Sequence, residues 1–135
     1  MPEPTTCCAR CDADDNPYCE NCDRLVGLDG LHVVGVEDRA GRLQVSVESA
    51  RPVMGCPRCG VVAHSHGRRT VCLVDIPITG RPVELRWRKR TWACVEASCP
   101  VKVFTEQDDT IARPRAMLTA RACRWVPNRA TLVTP

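Results

Sequence analysis

Apolar and polar residues alternate along several stretches of this chain, and the alternation predicts strands. In LHVVGVEDRAGRLQVSVES (31–49) the pattern runs on both sides of the turn signal Asp38-Arg39-Ala40-Gly41. That predicts a β-hairpin with Leu43, Val45 and Val47 on one face. Two further runs, TVCLVDIPI (70–78) and VELRWRKRTWAC (83–94), flank Thr79-Gly80-Arg81-Pro82 and predict a second hairpin. RPRAMLTARACRW (113–125) has helical spacing, with Pro114 in the first turn, Leu118, Ala122 and Trp125 along one face, and Pro127-Asn128 as the stop. Residues 7–22 follow neither period. The chain has no low-complexity segment and no repeat beyond a recurring C-x-x-C.

Composition changes this picture in one respect. A chain of 135 residues, 44% hydrophobic, has room for about one domain, yet it holds a single Phe and a single Tyr. Something besides aromatic burial is expected to hold it together. Eleven cysteines are the candidates. The amino terminus, MPEPTTCCARCDADD, carries no apolar signal region, so the expected location is cytoplasmic, where thiols stay reduced and clustered cysteines bind metal. No apolar run approaches the length of a membrane span.

Cys56-Pro-Arg-Cys59-Gly and Cys94-Val-Glu-Ala-Ser-Cys99-Pro stand at the two ends of the second hairpin. Paired cysteines on either side of a hairpin-sized insert predict a zinc ribbon, because Zn²⁺ favours tetrahedral thiolate ligation and a C-x-x-C turn offers two sulfurs to one ion. The fold expected from the whole pattern is a small β-rich α+β domain, a zinc ribbon with β-hairpins and one C-terminal helix. His64 and His66 offer a competing local set with Cys56 and Cys59, at the cost of leaving Cys94 and Cys99 unused; the four cysteines are preferred, with His66 and Gly67 in a loop. A redox role for Cys56 and Cys59 is weaker, since no βαβ pattern surrounds them. Cys8, Cys11, Cys19 and Cys22 repeat the C-x-x-C pairing and could close a second Cys₄ site, with Cys7 spare or exchanging with Cys8. One zinc ion is expected, and two are compatible with the pattern. Cys72 is expected as a small buried hydrophobe and Cys123 as a lone helical thiol.

Charge is divided along the chain. Residues 1–50 carry 4 basic and 10 acidic side chains, a net of −6, and residues 51–135 carry 15 and 6, a net of +9. In VELRWRKR the period of two places Val83, Leu85 and Trp87 on one face and Arg86, Arg88 and Arg90 on the other, with Arg68, Arg69 and Arg81 nearby in sequence. A row of guanidiniums on a strand suits a phosphate backbone, whereas the bland reading is a solvated face. Glu84 is the one acidic residue in the run.

At these residues the sequence resembles a known family. CPRCG, HGRR, VDIPITGRPVELRWRKRTWAC, CP and VFTEQ look like the amino-terminal zinc-finger region of bacterial insertion-sequence transposases of the DDE type, over about residues 25–125. The resemblance implies that Cys56, Cys59, Cys94 and Cys99 bind zinc and that the region binds DNA at the element's ends. It gives residues 7–22 no support. The family continues into a helix-turn-helix and a catalytic domain with three metal-binding carboxylates, so the resemblance implies a truncated transposase that is not an enzyme by itself. The expected organisation is a cysteine-rich segment over 1–24, a β-hairpin plus zinc-ribbon DNA-binding domain over 25–107, and a linker with a truncated helix over 108–135. The expected partner is transposon-end DNA, with no membrane and no small-molecule substrate. The alternative is a zinc-stabilised module that pairs with or inhibits intact transposase. A zinc deaminase is disfavoured, because H-x-E is lacking.

Overall fold

The computed structural model describes residues 18–50 and 53–133, with side chains up to residue 126. Its elements run α1 (Glu20–Val26), β1 (His32–Arg39), β2 (Arg42–Glu48), β3 (His64–Ile78), β4 (Arg81–Ala93), β5 (Val103–Thr105) and α2 (Ala120–Val133). The strands form one sheet in the order β1-β2-β4-β3, and β5 pairs with β4 beyond the end of β2. The fold is therefore β-rich, as the alternation implies.

Both expected hairpins form. β1 and β2 join at Ala40-Gly41, with φ of 55° and 83°, and β3 and β4 join at Thr79-Gly80, with φ of 51° and 74°. Two consecutive left-handed residues make the turn whose twist matches that of the flanking strands. The hairpins associate through β2 and β4, which run parallel with Val45 opposite Leu85 and Val47 opposite Trp87. This register puts the apolar positions of three strands on one face. Val45, Val47, Leu73, Val83, Leu85 and Trp87 form the core there, closed over by Val26 and Leu31 from the α1 end and by Ile111 and Ala112.

Three features depart from the sequence expectations. β3 begins at His64, so His66 and Gly67 lie in a strand and not a loop. HSHGRR has no apolar alternation; pairing with β4 imposes the strand, with a bulge between Ser65 and Gly67. The second departure is α1, which the sequence reading leaves unassigned. Cys19 Sγ caps it by accepting the Cys22 N–H at 3.3 Å, and Gly27 ends it with φ 68°.

The third departure is the start of the C-terminal helix. Residues 114–119 are not helical, because the Val74 N–H donates to Met117 O at 2.8 Å and the Thr119 N–H donates to Val74 O at 3.0 Å. Leu118 thus bridges in parallel to the outer edge of β3. The helix begins at Ala120, where Thr119 Oγ1 accepts the Ala122 N–H at 3.2 Å, and it continues through Pro127 to Val133. Asp75 locks this arrangement: its buried carboxylate accepts from Thr119 Oγ1 at 2.8 Å and from Nε and Nη2 of Arg121 at 2.9 and 2.5 Å. Arg121 Nη1 also donates to Val26 O at the end of α1. One guanidinium therefore ties α2, β3 and α1 together.

Candidate metal centre

The first cysteine pair sits on a tight knuckle before β3. Gly55 and Val62 form a bridge, the Cys56 N–H donates to Val61 O at 2.8 Å, and the Gly60 N–H donates to Cys56 O at 2.9 Å. Gly60 has φ 76°, a conformation that costs glycine nothing. A Cβ at Gly55 would come within 3.2 Å of Gly60 O, so the close return of the backbone favours glycine at 55, while at 60 the left-handed φ does.

The second pair follows β4. The Cys94 N–H donates to Lys102 O at 2.9 Å, pinning the start of the second turn, and the Cys99 N–H donates to Glu96 O at 3.1 Å. Because His64 pairs with Ala93, the β3–β4 ladder delivers the two knuckles to the same end of the sheet. The four sulfurs lie within 4.8 Å of one another. Cys56 Sγ is 3.8 Å from Cys99 Sγ, and Cys59 Sγ is 3.6 Å from Cys94 Sγ. A tetrahedron with Zn–S bonds of about 2.3 Å places its sulfurs about 3.8 Å apart, so the quartet fits one Zn²⁺. The separations are far longer than the roughly 2.05 Å of a disulfide.

Residues 52–99 match the zinc-finger of transposase IS204/IS1001/IS1096/IS1165. No curated protein and no solved structure matches the chain.

The backbone of the two knuckles prepares the thiolates. The N–H groups of Cys59 and then Arg58 point at Cys56 Sγ and lower its pKa to about 7. At Cys94 the Glu96 N–H favours the thiolate, but burial and the sulfurs of Cys59, Cys56 and Cys99 outweigh it and push the thiol up to about 12. Cys99 is likewise pushed up: the Val101 N–H favours its thiolate, and burial with the sulfurs of Cys59 and Cys56 prevails against it. Four sulfurs this close repel one another as thiolates, and a divalent cation is what lets them ionise together. Zn²⁺ bound by all four would cross-link the knuckles and leave no open coordination position, which is a structural role.

His64 and His66 are exposed on β3, outside the cysteine cluster. Cys72 is exposed, contrary to expectation. It pairs with Arg86 across the ladder and shares that residue's outer face, whereas the neighbouring Leu73 points into the core. Of the N-terminal quartet, Cys8 and Cys11 lie outside the described residues, as does Cys7. Cys19 and Cys22 stand together at the start of α1, with Cys19 buried and Cys22 packed against the core.

The basic residues divide between the two faces of the sheet. Arg68 pairs with Arg90, Thr70 with Arg88 and Cys72 with Arg86, so Arg68, Arg86, Arg88 and Arg90 share the face opposite Leu85 and Trp87. Arg69 pairs with Lys89 on the core side. Arg81 lies at the far turn, its Nη1 2.7 Å from Asp38 Oδ2. Glu48, at the end of β2, is 3.5 Å from Arg68 Nη1 and 3.4 Å from Arg88 Nη1, a partner hidden from the sequence because it belongs to the other hairpin. Arg90 reaches over the Trp92 ring, 5.9 Å from its centroid, and its buried Nε has no hydrogen-bond partner. Glu106 fixes the strand beneath: its carboxylate accepts the Arg90 N–H at 2.7 Å and the Ser49 hydroxyl at 2.6 Å.

Proposed function

We propose that the chain is a zinc-stabilised DNA-binding module of the transposase type, and that it grips the ends of a mobile element through the outer face of its sheet. The observation that carries this is the alignment of Arg68, Arg86, Arg88 and Arg90 on one face of the β3–β4 ladder that builds the Cys₄ centre. Four guanidiniums against Glu48 and Glu84 leave that face net positive, and the ladder spaces them for successive phosphates. Arg81, held by Asp38 at the opposite end, and Arg69, on the other face, contribute long-range field more than contact. The N-terminal quartet Cys8, Cys11, Cys19 and Cys22 is proposed as a second zinc site, on the strength of its spacing and the juxtaposition of Cys19 and Cys22.

The match to a zinc-finger domain, which is not catalytic, agrees with a binding role. Among the described residues the cysteine quartet is the one cluster of metal-ligating side chains, and no group of carboxylates gathers to hold the paired metal ions of strand transfer. Among the same residues no helix is long and apolar enough to cross a membrane.

One observation favours a second reading, docking onto intact transposase. Glu48 neutralises part of the arginine face, and Val74 and Cys72 are exposed on that same face. Titrating duplex DNA from an element end and, separately, intact transposase into the zinc-loaded protein distinguishes the two. Salt-sensitive DNA binding supports the first; binding to transposase alone supports the second.

A further inference from the structure

The sheet carries a second basic feature on the side away from the arginine row. A cleft of about 360 Å³ opens between the core face of β3–β4 and the segment before α2. Arg69, Lys89, Arg113 and Arg115 line it together with Thr105 and Gln107, and Val71, Leu73, Ala112, Pro114 and Ala116 supply an apolar wall. No carboxylate lines it.

Lys89 is the unusual member. It is only 7% exposed, yet its ammonium has no ion pair; it donates to Gln107 Oε1 at 2.6 Å and lies 4.3 Å from the centroid of Trp87. Gln107 is itself held with its oxygen toward Lys89, because its Nε2 donates to Asp109 Oδ1 and to Ala112 O. Among the described residues Arg69, Arg113 and Arg115 form no ion pair either. The turn that carries two of them is fixed, with the Ala116 N–H donating to Arg113 O at 3.1 Å and Arg115 at φ 63°. Glu106 and Asp109 act on Lys89 without touching it, so a mostly buried ammonium is left with no carboxylate in contact, and an anion entering the cleft would offset that cost while meeting the exposed Arg113 and Arg115 at its mouth.

We propose that this cleft binds a nucleotide through its phosphate, with Lys89 at the base and Arg69, Arg113 and Arg115 at the mouth. The volume exceeds what inorganic phosphate needs, and the apolar wall beside the cations suits a ligand with an anionic group and a flat, weakly polar body. The same chemistry is offered by a free mononucleotide and by one unit of a single strand. The proposal stands apart from the DNA reading above, because its residues lie on the other face of the sheet.

The test uses the zinc-loaded full chain and isothermal titration with deoxyadenosine monophosphate, deoxyadenosine and a short oligodeoxyadenylate. The monophosphate is expected to bind and deoxyadenosine not to. Arg113→Gln with Arg115→Gln, two exposed positions, should weaken binding by about tenfold or more with thermal midpoint and zinc content unchanged. Lys89→Gln should also weaken binding, with its thermal midpoint measured beside it because the residue is buried, while Arg86→Gln, Arg88→Gln and Arg90→Gln together should leave monophosphate binding as it is. Binding of the oligonucleotide much tighter than the monophosphate assigns the ligand to a strand, and equal binding assigns it to the free nucleotide. No saturable binding of either by about 10 mM, equal binding of deoxyadenosine, or full retention in the Arg113/Arg115 variant would overturn the proposal.

Discussion

Trp87 and Trp92, five positions apart on β4, are buried to the same degree, 1% exposed each, on opposite faces of the sheet. Trp87 belongs to the main core. Trp92 lies on the arginine face at the end where the knuckles meet, and Cys56, Ala63 and Cys99 are the buried residues at that end. Trp92 therefore lies outside the main core, at the end of the sheet that carries the cysteine quartet.

Chelation should separate the two indoles. Removing Zn²⁺ unties the knuckles, since the binding free energy is coupled to local folding. In Trp87→Phe protein, where Trp92 is the buried reporter, fluorescence should shift to the red on adding chelator; in Trp92→Phe protein the shift should be smaller. Equal shifts in both would mean that metal holds the entire sheet.

Metal content should follow the cysteines. Cys59→Ser or Cys94→Ser should remove one zinc per chain, and His66→Ala should remove none. If the N-terminal quartet forms the second site, wild type should hold two and Cys22→Ser one. Loss of zinc in His66→Ala would move the first site onto the histidines.

Trp87→Ala should destabilise the folded protein by about 3–5 kcal/mol, the usual range for emptying a large aromatic site. Chemical denaturation measures it, and a loss well below about 1 kcal/mol would mean that the core collapses to fill the space.

The Asp75–Arg121 pair should appear in the acid limb of stability. Burial by itself would raise the Asp75 pKa, but Arg121, Thr119 and the Ile76 N–H hydrogen-bond the carboxylate and bring it below its ordinary 3.8. A carboxylate depressed on folding contributes stability that is complete above that ordinary value and is lost as pH falls through the lower folded value. Arg121→Ala should cost about 3–5 kcal/mol at neutral pH, because it strands a buried charge, and should flatten the loss below pH 3.8. An unchanged acid limb in Arg121→Ala would show that other carboxylates govern it.

Much of this was legible in the sequence, for physical reasons that differ by element. The hairpins announce themselves through a two-residue period and turns that demand left-handed backbone, at Ala40-Gly41 and Thr79-Gly80. The metal centre is legible because paired cysteines with a glycine after the knuckle have few other uses. The α1 helix is only seven residues long, too short to show a period, and its cap is a cysteine; Gly27 and the order Glu20, Asp23, Arg24 were its available signals. The start of α2 was not legible, because residues 114–119 answer to the edge of β3, and the Glu48 contacts were hidden because they depend on β2 lying parallel to β4.

The most direct test of the central claim, that the outer arginine face binds DNA, is duplex affinity measured across a salt series for wild type and for Arg86→Gln, Arg88→Gln and Arg90→Gln combined. These side chains lie off the main core, so zinc content should not change; Arg90 packs over Trp92, so Arg90→Gln is also made alone and its thermal midpoint measured, to separate lost stability from lost binding. Affinity should fall on all sequences, and the log–log salt slope should flatten by about 0.9 for each phosphate contact removed. Triple-variant protein that binds DNA as tightly as wild type, with the same salt slope, would contradict the account and leave the arginine row as a solvated face.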